Sequence, residues 1–131
     1  MGLKNMSLSA APTLTAGGDP VAFTDDGISI PNGVHLTTTD ATYMSRKAIT
    51  AKFRPATLDA KTTTLTKDKK TLSIACPMEL GNGTIVFNVF RVEREVHPST
   101  SVEDQQLLNN LAAGLILDAD TANFWATGSM S

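Results

Sequence analysis

Apolar and polar residues alternate through much of the chain up to residue 97, then switch to helical spacing. Leu8 to Thr15, a turn at Gly17-Gly18-Asp19, and Val21 to Thr24 predict a β-hairpin within residues 1–24. Asp25-Asp26-Gly27 reads as a second turn. Ile28-Ser29-Ile30 is a short extended piece stopped by Pro31-Asn32-Gly33, and Val34 to Thr39 is a third strand. Over Ser45 to Arg54, residues Arg46, Ala48, Thr50, Lys52 and Arg54 fall on one face at period two. Lys47, Ile49, Ala51 and Phe53 fall on the other. Pro55 ends this strand. Thr57 to Thr66 has the β-branched content to continue as a strand, and Lys67-Asp68-Lys69-Lys70 reads as a charged turn. Thr71 to Met78 alternates again, with Leu72, Ile74, Cys76 and Met78 on one side. Leu80-Gly81-Asn82-Gly83 is a tight-turn signal. Thr84 to Val96 is the longest strand predicted. Val86, Phe90, Val92 and Val96 share one face, while Ile85, Phe87 and Val89 make the other apolar too. Such a strand is expected to be central or covered on both sides.

After Pro98 the period changes. Ser101 is placed to cap a helix, with Glu103 and Asp104 in a first turn where the helix dipole favours acids. Leu107, Leu108, Leu111, Ala112, Leu115 and Ile116 then recur at helical spacing, opposite Gln105, Gln106, Asn109 and Asn110. A second short helix with Phe124 and Trp125 is expected after Asp118 or Asp120, ending at Gly128. Strands followed by helices predict an α+β fold. It comprises an N-terminal hairpin (1–24), an antiparallel sheet of about five strands (33–97) and a helical tail (101–127), all in one domain spanning 1–131. Two short helices cannot cover such a sheet alone. Either they make an intramolecular two-layer sandwich, or they cross onto the sheet of a second copy.

Composition narrows the function. The single cysteine, Cys76, excludes an intrachain disulfide and a cysteine metal cluster. Its alternation with Leu72 and Ile74 reads as a core thiol rather than a nucleophile paired with His35. Neither His35 nor His97 has a metal-ligand neighbour at the usual spacings. No phosphate loop and no acid–base constellation is present, so neither an enzyme nor a cofactor or small-molecule substrate is expected. No apolar run reaches the roughly 18 residues of a membrane span, and the N-terminus lacks a signal-peptide core. A cytoplasmic protein that does not contact membranes is expected. The net charge of −2 is unevenly spread: residues 46–73 hold eight basic and two acidic residues, whereas the chain after Pro98 holds four acids and no Lys or Arg. A basic middle and an acidic tail suit a polyanion on one side and a different partner on the other. The chemical signal is the face with Arg46, Thr50, Lys52, Arg54, Thr71 and Ser73, whose cations and hydroxyls suit phosphates and exposed base edges. Tyr43 is the one aromatic near it, so a stacking platform of the RRM kind is not expected.

In these residues the chain resembles the coat proteins of the single-stranded RNA bacteriophages, the leviviruses. The glycine-turn hairpin looks like that family's opening hairpin, and Asn32-Gly33-Val34 with its Ser/Thr-rich continuation is similar to its third strand. Ala48 to Arg54 resembles its basic-hydroxyl strand, and Lys69 to Pro77 the neighbouring one. Thr100 to Asp104, continuing through Leu107-Leu108 and Leu111-Ala112-Ala113, resembles its helical tail. The resemblance implies an interlocked homodimer with helices over the partner's sheet. Val86, Phe90, Leu107, Leu108, Leu111 and Leu115 would lie at that interface. It further implies a T=3 icosahedral shell in the virion, assembled in the bacterial host cytoplasm. By position, Val34, Thr50, Lys52, Arg54, Thr71 and Ser73 match the family's RNA-facing residues. They would bind genomic RNA and an operator hairpin that represses translation. The chain departs from the family in a much shorter turn at 80–83 and a longer segment at 55–70. The alternative reading is a dimeric cytoplasmic RNA-binding regulator that forms no shell.

Overall fold

The computed structural model describes residues 4, 6–12, 17–40 and 42–130. Among these, the strands in chain order are β1 (Thr24–Asp25), β2 (Gly33–Thr37), β3 (Ala48–Arg54), β4 (Leu58–Asp59), β5 (Thr64–Leu65), β6 (Asp68–Glu79) and β7 (Ile85–Val96). Five of them form one antiparallel sheet in the order β1-β2-β3-β6-β7, and β4 and β5 form a ladder of their own. All of this belongs to a unit of residues 18–98. A second unit combines residues 1–17 with 99–131.

The β6–β7 hairpin is the longest pairing, running from Asp68 opposite Val96 to Glu79 opposite Ile85. Its turn is the expected one. The Leu80 amide donates to the Thr84 carbonyl at 2.8 Å, the Asn82 side chain accepts from the Thr84 amide at 3.0 Å, and Gly83 takes φ 85°. That left-handed backbone is why a glycine is needed there. The charged turn expected at 67–70 is instead the start of β6. The chain reverses earlier, between β4 and β5, where the Thr63 amide donates to the Asp59 carbonyl at 2.8 Å. Lys69 and Lys70 can lie in a strand because β7 supplies acids opposite: Lys69 Nζ meets Glu93 at 3.0 Å.

Two further expectations change. The strand β7 is at the edge of the sheet, not central, although Phe87, Val89, Phe90 and Val92 are 37–49% exposed on its two faces. The opening hairpin is also absent among the described residues. Residues 6–12 and 17–23 have no strand, residues 13–16 lie outside the described set, and pairing begins at Thr24. The early segment has another partner in its own unit. The Asn110 side chain donates to the Ala10 carbonyl at 3.0 Å, and Leu8 lies beside Gly114. Pro12 and Pro20, which cannot donate to a ladder, flank the expected turn.

The tail forms as its capping signals predict. The first helix, α1 (Val102–Leu117), starts at Ser101, whose hydroxyl accepts from the Asp104 amide at 3.2 Å. Asp118 opens a 3-10 turn (Ala119–Thr121) leading into α2 (Ala122–Thr127), which ends at Gly128 with φ 76°. Trp125 donates its indole N–H to the Ile116 carbonyl at 3.1 Å. What the described residues lack is an interior. Among the described residues Val96, at 5% exposure, is the one buried apolar side chain, and the other buried ones are Thr37, Thr38 and Thr121. A domain of this length that closed on itself would bury well over half of its unfolded surface.

Candidate nucleic-acid interface

Register decides which side chains share a face. Thr50 pairs with Ser73, Lys52 with Thr71, and Arg54 with Lys69. On β7, Arg91 lies opposite Ser73, Glu93 opposite Thr71, and Glu95 opposite Lys69. Directly opposed residues point to the same side. Thr50, Lys52, Arg54, Lys69, Thr71, Ser73, Arg91, Glu93 and Glu95 therefore occupy one polar face. Lys52 and Arg54 are exposed, and Thr50, Thr71 and Ser73 are half-buried. Their ends surround a shallow hollow of about 340 Å³, lined by Lys52, Arg54, Lys69, Thr71 and Glu93 among others. The cations Lys52, Arg54 and Lys69 and the hydroxyl of Thr71 in its lining make it a site for an anion bearing hydrogen-bonding groups. Glu93 offsets Lys69, whereas Lys52, Arg54 and Arg91 have no carboxylate opposite them in the ladder.

The other face is apolar. Val34, Leu36, Ile49, Ala51, Phe53, Leu72, Ile74, Phe90 and Val92 follow one another across four strands. Val34, Phe53, Leu72, Phe90 and Val92 are exposed there. Val34, Ala51, Phe53 and Leu72 line an open concavity of about 480 Å³. Lys70 lies over the Phe53 ring, 5.6 Å from its centre.

The sequence-derived residues divide between these two faces. Thr50, Lys52, Arg54, Thr71 and Ser73 come together. Arg46 precedes β3, and its Nε donates to the Asp40 carbonyl at 2.9 Å. Val34 does not join them, because it pairs with Ala51 and so lies on the apolar face. Val86 and Phe90 share that apolar face, opposite Met78 and Ile74. On α1, Leu107, Leu108 and Leu115 are 43–45% exposed and Leu111 is half-buried. Cys76 lies on the apolar face and His35 on the polar one, so the two cannot form a nucleophile pair.

Five polar-face groups escaped the sequence reading: Lys69, hidden in the supposed turn; Arg91, Glu93 and Glu95, which period two along β7 would have revealed; and His35. The last is the β2 residue that faces Thr50. Its Nδ1 is 2.7 Å from Asp26 Oδ2, with side chains 17% and 5% exposed. Burial pushes the Asp26 carboxyl up, but the Ile28 amide and the hydrogen bond and charge of His35 outweigh it and hold the group below its ordinary range. No signal in the sequence joins positions 26 and 35.

No family model matches this sequence, and no curated protein matches it by sequence. Solved structures do. The chain is similar to the virus-like particle of bacteriophage GQ-907, with 28% identity, a TM-score of 0.85, and coverage of 97% of this chain and 96% of that one. It shares the fold of the virus-like particle of Wenzhou levi-like virus 4, at 19% identity, a TM-score of 0.68, and coverage of 96% and 90%. The same holds for that of Beihai levi-like virus 21, at 12% identity, a TM-score of 0.70, and coverage of 88% and 91%. A five-stranded antiparallel sheet, a small second ladder and two C-terminal helices give the chain the levivirus coat-protein fold, and with the likeness to the bacteriophage GQ-907 particle they make it a capsid protein.

Proposed function

We propose that residues 1–131 act as one coat domain whose homodimers build an icosahedral shell in the bacterial host cytoplasm. The shell packages genomic single-stranded RNA, and the dimer binds an RNA hairpin that represses translation. The observation behind this reading is a sheet with a cationic, hydroxyl-rich face and an uncovered apolar face, in a chain with one buried apolar side chain among its described residues. A large exposed apolar surface marks an interaction site. The apolar tail offers a matching cover, with Leu107, Leu108, Leu111 and Leu115 at helical spacing. Val86 and Phe90 receive that cover from the partner, and Val34 belongs with them rather than with the RNA. The edge position of β7 fits the same arrangement. A twelve-residue apolar edge strand invites pairing with another chain, here the β7 of a second copy.

On the polar face, Lys52 and Arg54 contact phosphate, with Arg46 a further phosphate contact from the segment before β3, and Thr50, Thr71 and Ser73 contact base edges or sugar. Electron microscopy of the purified protein tests the shell. Uniform particles are expected, whereas dimers alone would leave the RNA-binding regulator as the better reading. For the RNA face, Lys52→Ala should weaken RNA binding several-fold and reduce the salt slope by roughly 0.7–0.9. Thr71→Ala should weaken binding and leave the slope unchanged. Wild-type affinity and slope in both variants would remove these residues from the interface.

A further inference from the structure

The polar face carries one side chain whose chemistry differs from the rest. Lys52 and Arg54 can only donate hydrogen bonds, and the hydroxyls of Thr50, Thr71 and Ser73 serve either role. His35 points to this face because it pairs with Thr50, and its ring is fixed through Nδ1 by Asp26 at 2.7 Å. Asp26 is itself held, its Oδ1 accepting from the Ile28 amide at 3.0 Å. A carboxylate has no proton to donate, so the proton of the His35–Asp26 bond is on Nδ1. In the neutral ring this leaves Nε2 with a lone pair. Nε2 has no hydrogen-bond partner among the described residues, yet it is not among the atoms sealed from solvent without one. Pinning the segment after β1 to β2 would use Nδ1 and leave Nε2 idle.

We propose that His35 Nε2 is a fixed hydrogen-bond acceptor that reads a donor group on bound RNA, either a ribose 2′-hydroxyl or a base amine. This rests on the RNA-binding reading above and adds to it a specificity residue. The charged groups around the ring are few. Asp26 faces it from the segment after β1, and Lys52 lies on the same face opposite Gly33. Asp25 pairs with Leu36 and points to the other side, and β3 presents the uncharged Thr50.

The test uses the full chain and three probes of equal length: oligoriboadenylate, its 2′-O-methyl counterpart and oligomeric purine riboside. The second lacks the sugar donor and the third the base amine. At about pH 7.5 the wild type should prefer oligoriboadenylate over one of the other two by ~3–10-fold, the effect of one hydrogen bond. Which one it disfavours identifies the source of the donor. The preference should vanish in His35→Asn, whose amide can still donate to Asp26 but has no atom in the place of Nε2. No preference in the wild type, or one that persists in a folded His35→Asn, would overturn the inference while leaving RNA binding intact. Failure of every probe to bind would overturn the RNA reading, and this with it.

Discussion

At the scale of single residues, the pair joining Asp26 to His35 links stability to pH. The fold holds the Asp26 carboxyl below its ordinary range, so the folded chain binds that proton less tightly than the unfolded chain does. The resulting stability is fully present above the unfolded value of ~3.9 and is lost as pH falls through the lowered folded one. Asp26→Asn should therefore lower the thermal midpoint at neutral pH and flatten its decline on the acid side, read from melts across that window. An unchanged acid slope would mean the carboxylate contributes nothing. This pair also marks where residue-level reading stopped. Period two correctly grouped Thr50 with Lys52 and Thr71 with Ser73, because each pair is set by alternation within its own strand. It could not fix which β2 residue joined them. That depends on β2–β3 register, and a shift of one residue exchanges Val34 for His35.

Elements were legible where the local signal and the long-range pairing agreed. The helix start at Ser101, the stop at Gly128 and the Leu80–Gly83 turn need only neighbours in sequence. The expectations that failed depend on distant partners. Lys69 and Lys70 read as a turn until Glu93 and the rest of β7 are opposite them, and the segment from Leu8 to Thr15 reads as a strand until Asn110 is beside Ala10 and Gly114 beside Leu8. Gly33 shows the same dependence. Nothing in its sequence context demands glycine beyond the turn it ends, but a Cβ there would collide with the Ala51 carbonyl oxygen across the ladder. Relief requires β2 to move away from β3. Gly33→Ala should cost ~1–3 kcal/mol, seen as a lower denaturation midpoint with RNA contacts on β3 and β6 otherwise retained. A variant as stable as the wild type would show that the strands separate at little cost.

At the scale of the whole molecule the question is what replaces the missing interior. One half of the answer lies in the sheet, whose apolar face has exposed Val34, Phe53, Leu72, Phe90 and Val92. The other half lies in α1, where Leu107, Leu108 and Leu115 are exposed and Leu111 is half-buried. Covering those four leucines is worth roughly 6–12 kcal/mol at ~1.5–3 per side chain, comparable to the entire stability of a small domain. A substitution that spares the single chain but harms that cover separates assembly from folding. Leu108 is 45% exposed in the single chain, so a charge there can stay hydrated until a partner arrives. In an assembled interface the same carboxylate would be stripped of water without a counter-charge, a cost of several kcal/mol. Leu108→Asp should therefore keep the helical signal of its circular dichroism spectrum yet yield no particles by microscopy or sedimentation. Gln106→Asp introduces the same charge on the polar side of α1 and should assemble normally. Particles of normal yield from Leu108→Asp would mean that α1 is not the cover of the apolar face, and that the partner seals the sheet with some other surface.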